Sequence, residues 1–233
     1  LRGPSKEGTP FHSLLKGSGS SVKDSDVAGG SFGIGKFAPF CISELQTVFY
    51  STIYQDSEGK NNFLAQGRSI FISHLDENRE PKKQIGYWGG GGFQPLNQKS
   101  LVPDWMKRNE QGTSLHVIGF KVIKDWHHRM AASLITNFFS AIANRQMKFS
   151  LNNGEIIVDD KSIATLFNDP KIEKAADESN KRDDFDFSKN LLECLGSKET
   201  MHRKISIEGL GQVSLKVLIK ENLPKKLAIV RNG

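Results

Sequence analysis

Cysteine is scarce in this sequence, and long apolar runs are missing. The two cysteines, Cys41 and Cys194, stand far apart, with neither CxxC nor metal-ligand spacing. This usage argues against a disulfide framework and predicts buried free thiols in a reducing, cytoplasmic compartment. No apolar run approaches the roughly 18 residues that a membrane span needs, so we expect no membrane partner.

An initial methionine and a strong charge imbalance are also missing. The chain starts without a targeting segment and stops at Val230 to Gly233, at the end of a β-like stretch, which predicts an internal fragment of a longer protein. The 32 basic and 26 acidic residues are intermixed, so the net charge of +6 leaves DNA as a possible partner without requiring it. A length of 233 residues suits one large domain or one and a half ordinary ones.

Glycine, in contrast, is concentrated in the run Gly29 to Ala38, which fits three phosphate-binding patterns. Gly30 to Lys36 matches the first seven places of a P-loop, but Phe37 stands where a hydroxyl should hold magnesium. Gly33, Gly35 and Ala38 match a relaxed dinucleotide fingerprint. Both patterns need an apolar strand immediately upstream, and the polar residues 23–28 exclude one.

The third pattern is GxxGxG, placed at the end of a long polar loop and before a helix. Glycines let successive backbone amides turn toward a phosphate, and the following helix adds unpaired amides and a positive dipole end. We call residues Gly30 to Lys36 the glycine loop. Ser20, Ser21 and Lys23 lie earlier in the same stretch and can add charge-assisted contacts to a triphosphate. The alternative is an exposed glycine-serine loop that binds nothing.

The order of segments around this loop resembles that of the GHKL ATPases (gyrase, heat-shock chaperone, histidine kinase, MutL). The loop is followed by the pair Gly112-Thr113, which opens an apolar stretch, and then by a long helix from Asp125. The run 30–40 and the closing residues 223–233 are similar to prokaryotic members of uncharacterised function, related to the chaperone and microrchidia branch. The resemblance spans most of the chain.

The resemblance implies ATP with Mg²⁺, closure of a lid over the triphosphate, and a homodimer of the full-length protein. The implied nucleotide contacts are Ser20, Ser21, Lys23, Gly30, Ser31, Phe32, Gly33, Ile34, Gly35, Lys36 and Thr113, the last beside the adenine. The family's general base, magnesium-binding Asn and DxGxG turn have no counterpart in this sequence. We therefore assign no catalytic or metal-binding residue here and expect the fragment itself not to hydrolyse ATP. The alternative function is a structural or nucleic-acid interaction domain whose glycine loop binds no nucleotide.

The implied fold class is α/β: part of a Bergerat-type sandwich, a mixed sheet with helices on one face, followed by the start of a second α+β domain. We expect the ATP-binding portion at 1–158, a linker or insertion at 159–190, and a truncated β-rich, transducer-like domain at 191–233.

Local patterns predict the individual elements. Helices are expected at 11–15, 36–45, 125–145 (with Asp125 as N-cap) and 162–167, and a charged linker or insertion at 168–186. Strands are expected at 47–54, 69–74, 114–120 (central and buried), 147–151, 155–158, 204–207, 212–220 and 226–230. The glycine tract 89–92 excludes a regular element and predicts either close packing or a mobile segment.

Overall fold

A computed structural model describes residues 9–17, 35–209 and 211–230. It divides the chain into two compact units between Val122 and Ile123. The family-based domain limits at 158 and 190 stay a prediction. The two parts are called the N-terminal unit and the C-terminal unit.

Helices and strands both occur, which confirms the predicted mixture of α and β structure. The helices are α1 (Pro10–Leu15), α2 (Ala38–Cys41), α3 (Trp126–Ala143), α4 (Ile163–Leu166), α5 (Pro170–Glu178) and α6 (Arg182–Gly196). The strands are β1 (Ser43–Gln55), β2 (Asn61–Ile70), β3 (His74–Leu75), β4 (Pro81–Lys82), β5 (Ile85–Trp88), β6 (Gly112–Phe120), β7 (Phe149–Leu151), β8 (Ile156–Val158), β9 (Met201–Ile207) and β10 (Gly211–Val217). Within the described residues, every helix is too short or too polar to cross a bilayer.

The N-terminal unit is built on a four-stranded sheet in the order β5-β2-β1-β6. All of its pairings are antiparallel, so the described strands do not form the mixed sheet that was predicted. One face carries α1 and α2 over a core of Phe11, Leu15, Phe40 and Val48. The other face packs Ile53 and Phe63 against Val102 and Met106, which flank or lie in short 3₁₀ turns.

Two strand predictions in this unit are wrong in position. The second strand is Asn61–Ile70 rather than 69–74, because its buried positions include polar Gln66 and Arg68, which a hydropathy pattern does not mark as core. The strand that begins with Gly112-Thr113 lies at a sheet edge and is half-buried, whereas a central buried strand was expected.

The C-terminal unit places α3, the hairpin β7–β8 and α4 to α6 around one core. The long helix and the hairpin are confirmed. Asp125 does precede α3, but its φ of 57° and the lack of a side-chain hydrogen bond show that it does not cap the helix as predicted.

Of the linker or insertion predicted at 168–186, the linker alternative is wrong, because most of the segment forms α5 and the start of α6. The insertion alternative stays a prediction. Asp169 caps α5 by accepting hydrogen bonds from the amides of Lys171 and Ile172. Ile172 and Phe185 are buried in the core, while the charged side chains occupy the outer faces of the two helices. The charge pattern therefore reflects amphipathic helices.

Three smaller predictions also need correction or refinement. Residues 226–230 form no strand, and among the described strands β9 and β10 pair only with each other. Cys41 is exposed and Cys194 half-exposed, so the thiols are not buried. Close packing at the glycine tract is confirmed at Gly89, where a Cβ would collide with the carbonyl oxygen of Gln94, but Gly91 faces open space.

Candidate functional site

The sheet face that carries α1 and α2 also carries the predicted adenine contact. Residues directly opposite each other in neighbouring strands point to the same face. Thr113 of β6 lies opposite Thr52 of β1, and Val117 lies opposite Val48, which packs under the two helices. Thr113 is therefore on the helix-covered face, and it is half-buried there.

A chain of hydrogen bonds fixes the direction of the Thr113 hydroxyl proton. The Thr52 hydroxyl donates its single proton to the carbonyl oxygen of Gly112, 3.0 Å away. Thr52 Oγ1 also lies 3.1 Å from Thr113 Oγ1. Because its proton is already used in the bond to Gly112, Thr52 Oγ1 can only accept in this second contact. Thr113 must then donate to Thr52, which leaves the Thr113 oxygen able only to accept a further hydrogen bond.

Lys36 connects Gly17 with Gly35, the two described residues that border residues 18–34. Its ammonium donates to the carbonyl oxygens of Ser13 at 3.0 Å and Gly17 at 2.6 Å, at the end of α1. Burial, and to a lesser extent the neighbouring Arg68 cation, lower the pKa of Lys36. Gly17 and Gly35 are thereby held on the helix-covered face.

A row of buried polar side chains lies on the same face, on β1 and β2. Tyr50 and Gln66 are opposite each other and wholly buried, and Arg68 is 4% exposed. Arg68 donates to the carbonyl oxygen of Leu15 at 2.6 Å, and its guanidinium lies 5.3 Å from the ring centre of Phe37.

Three atoms of this row have no hydrogen-bond partner in the described part of the chain: Tyr50 Oη, Gln66 Oε1 and Arg68 Nε. Burial raises the pKa of Tyr50 to about 12, although the Arg68 cation acts in the opposite direction. An unpaired buried polar atom costs about 1–3 kcal/mol. Three of them together indicate a place where a polar group from elsewhere would be stabilised.

The predicted site residues are only partly brought together. Ser20, Ser21, Lys23, Gly30, Ser31, Phe32, Gly33 and Ile34 lie outside the described residues. Gly35 is exposed and opens a 3₁₀ turn. Lys36 lies near Arg68, which pairs with Val48, whereas Thr113 pairs with Thr52 four residues further along β1, a span of roughly 14 Å.

Sequence reasoning missed Thr52, Tyr50, Gln66 and Arg68. A run of aromatic and β-branched residues marked β1 as a strand, but it did not show which side chains share a face. The pairing of Tyr50 with Gln66 depends on the register of two strands, which is set by the turn at residues 56–60. The nearest available signal was the polar pair Gln66 and Arg68 at strand spacing on either side of Gly67.

The opposite face of the sheet holds a histidine that invites a catalytic interpretation. His116 Nε2 lies 3.2 Å from Ser51 Oγ, and the ring packs edge-on against Trp105. Ser51 is wholly buried, so no substrate can reach it as a nucleophile. Burial lowers the pKa of His116, and the pair is a hydrogen bond within the core.

Within the described residues, no group of three or more His, Cys, Asp or Glu side chains could hold a metal ion. Comparison with protein-family models, with curated proteins and with solved structures finds no match for this chain. The resemblance to the GHKL class therefore remains a prediction.

Proposed function

We propose that this chain is part of the ATP-binding module of a GHKL-type ATPase and that its sheet belongs to a Bergerat-type sandwich. In the full-length protein, closure of the lid over the triphosphate would drive conformational change or dimerisation. The observation that carries the proposal is the position of Lys36, which fixes Gly17 and Gly35 on the sheet face where Thr113 lies.

The described residues fit a nucleotide at both ends of that face. Thr113 offers a hydroxyl oxygen that only accepts, which suits an exocyclic amino group such as that of adenine. Guanine presents a carbonyl oxygen at the corresponding position and would meet a lone pair instead. Roughly 14 Å further along β1, Lys36 and Arg68 supply positive charge beside the glycine loop.

The role of this chain would be binding and positioning. The backbone amides of the glycine loop would surround phosphate oxygens, and Lys36 would exchange a carbonyl contact for a phosphate contact. The unpaired atoms of Tyr50, Gln66 and Arg68 would stabilise polar groups that enter the face. We assign Mg²⁺ binding and activation of water to residues outside this chain.

Isothermal titration of the chain with ATP and Mg²⁺ tests the proposal. The variant G33V/G35V adds side chains where amides must approach a phosphate, and we expect at least about a tenfold loss of affinity, equal to 1.4 kcal/mol. The matched control is Gly91→Val, because a Cβ at Gly91 has no neighbour within 4 Å. Equal affinity of G33V/G35V and the unchanged chain would rule the proposal out.

A further inference from the structure

The hairpin β9–β10 is an exposed two-stranded ribbon in the C-terminal unit. Its strands pair from Met201 opposite Val217 to Ile207 opposite Gly211, and in the described part of the chain they pair with no other strand. Every residue of β9 is exposed. An isolated hairpin is only marginally stable in water, so a ribbon with this exposure suggests a surface that acts in recognition.

The two faces of the ribbon differ in chemistry. Alternation along the strands places apolar side chains on one face, among them Met201, Ile205 and Val213, together with the cation Arg203. The other face is polar and has no carboxylate. Its members are His202, Lys204, Ser206, Gln212, Ser214 and Lys216. His202 Nε2 lies 2.5 Å from Ser214 Oγ, and Ser214 is the residue directly opposite Lys204. This contact links the two strands on the polar face.

The charge of the C-terminal unit is sharply segregated. Residues 201–230 contain six lysines and arginines against two glutamates, a net charge of +4. Residues 159–200 contain seven basic against eleven acidic residues, a net charge of −4. The intermixed charges of the whole sequence conceal this division, and a polyanion would be attracted to residues 201–230 more than to residues 159–200.

The cations of the ribbon are less engaged than most of those on or next to α5 and α6. Lys174, Lys181, Arg182 and Lys189 each form an ion pair with a carboxylate, whereas Lys171 forms none with a described residue. Arg203 and Lys204 likewise form none with any described residue. Within the described part of the chain, Lys216 donates a hydrogen bond to the carbonyl oxygen of Leu195, at 3.5 Å.

We propose that the polar face of the β9–β10 ribbon binds double-stranded DNA. A two-stranded ribbon fits the major groove of B-form DNA, where Lys204 and Lys216 would contact phosphates and Gln212, Ser206 and Ser214 would meet base edges. The major groove of double-stranded RNA is too deep and narrow for the ribbon, so DNA is the favoured duplex. The proposal does not depend on nucleotide binding by the N-terminal unit.

Fluorescence anisotropy with a short labelled DNA duplex, in the absence of nucleotide, tests this assignment. We expect a dissociation constant of about 10⁻⁶ to 10⁻⁴ M, with log K falling against log salt by about 0.9 per phosphate contact. The variant K204Q/K216Q should weaken binding at least about tenfold at low salt and reduce the slope by about 2. K204R/K216R, which keeps both charges, should bind like the unchanged chain.

The matched control is K161Q/K171Q, which removes two exposed charges from the helical part of the same unit. Equal weakening by both double variants would mean general electrostatic attraction and would overturn the proposal. Absence of DNA binding at low salt would overturn it as well. Equal competition by double-stranded RNA or by an acidic polypeptide would show that the ribbon is not a DNA surface.

Discussion

Tyr50 and Gln66 face each other across β1 and β2, wholly buried, and neither the Tyr50 hydroxyl nor the Gln66 carbonyl oxygen has a hydrogen-bond partner in the described part of the chain. Native cores keep few such atoms, because each costs about as much as a lost hydrogen bond. Both residues lie on the sheet face that carries Thr113, where nucleotide binding is proposed.

Tyr50→Phe removes one of these unpaired atoms and keeps the ring. We expect the free energy of unfolding to stay unchanged or to rise by up to about 1 kcal/mol, because no hydrogen bond is lost. Urea denaturation measures this. The matched control is Ser43→Ala, which deletes a buried hydroxyl that donates to Ile118 O and accepts from the Thr47 amide, and which should cost about 1–3 kcal/mol. A similar loss in both variants would show that the Tyr50 hydroxyl is bonded.

Thr52→Val should change which base the proposed site prefers. Without Thr52, the Thr113 hydroxyl proton is free to rotate, so its oxygen is no longer restricted to accepting. We expect the preference for ATP over GTP to fall by about tenfold, the value of one hydrogen bond. Thr52→Ser, which keeps the donor, should retain the preference.

Titration of all three proteins with both nucleotides separates the possible results. Binding of ATP with an unaltered ratio in Thr52→Val would contradict the proton arrangement alone. Absence of ATP binding in the unchanged chain would contradict the proposed function itself.

Gly67→Ala should destabilise the N-terminal unit. A Cβ at this position would lie 2.7 Å from a carbon of the Phe49 ring and 3.1 Å from Trp88 Cβ, closer than packed carbons can approach. We expect a loss of about 1–3 kcal/mol from displacement of the ring. Gly91→Ala is the control, since its Cβ meets open space and should cost little. Thermal unfolding of both variants checks this, and equal stability would show that Phe49 moves freely.

His116 should make stability depend on pH. Burial lowers the pKa of His116 from 6.5, so the folded protein favours the neutral ring. As pH falls below 6.5, His116 binds a proton in the unfolded chain but stays neutral in the folded protein. The free energy of unfolding therefore decreases until the pH passes the lowered pKa of the folded state. Above the pKa of the unfolded state, His116 causes no such decrease.

His116→Gln should flatten this part of the profile, which urea denaturation between about pH 5 and about pH 8 measures. The exposed His74 provides a control, His74→Gln, that removes a histidine from outside the core. If both variants keep the slope of the unchanged chain, His116 is not its source.

Much of the fold could be predicted, because regular spacing of apolar residues indicates a helix or a strand without knowledge of distant contacts. The spacing of Phe11, Leu14 and Leu15 predicted α1, and the turn Asn152-Asn153-Gly154 predicted the hairpin that follows α3. The error at α5 arose because many charged residues surround the few apolar residues that have helical spacing. In α5, Ile172, Ala175 and Ala176 do follow helical spacing, but the charged residues around them suggested a linker.

The candidate site was less accessible, because it depends on contacts between distant residues. Thr113 was predicted from a motif, yet its partner Thr52 is 61 residues away and becomes visible only through strand register. Lys36 was predicted as a contact of the triphosphate. The structure shows it bound to carbonyl oxygens at the end of α1, while its predicted phosphate role stays a prediction.

The sequence by itself determined the presence of both α and β structure, the long helix, the hairpin and the position of a glycine loop before a helix, since each follows from spacing along the chain. Only the tertiary structure decided that Tyr50, Gln66 and Arg68 form a buried row, that Thr52 orients Thr113, and that His202, Lys204 and Lys216 share one face of the β9–β10 ribbon. These features depend on strand register, and register is fixed by turns and by packing across the sheet rather than by any one segment.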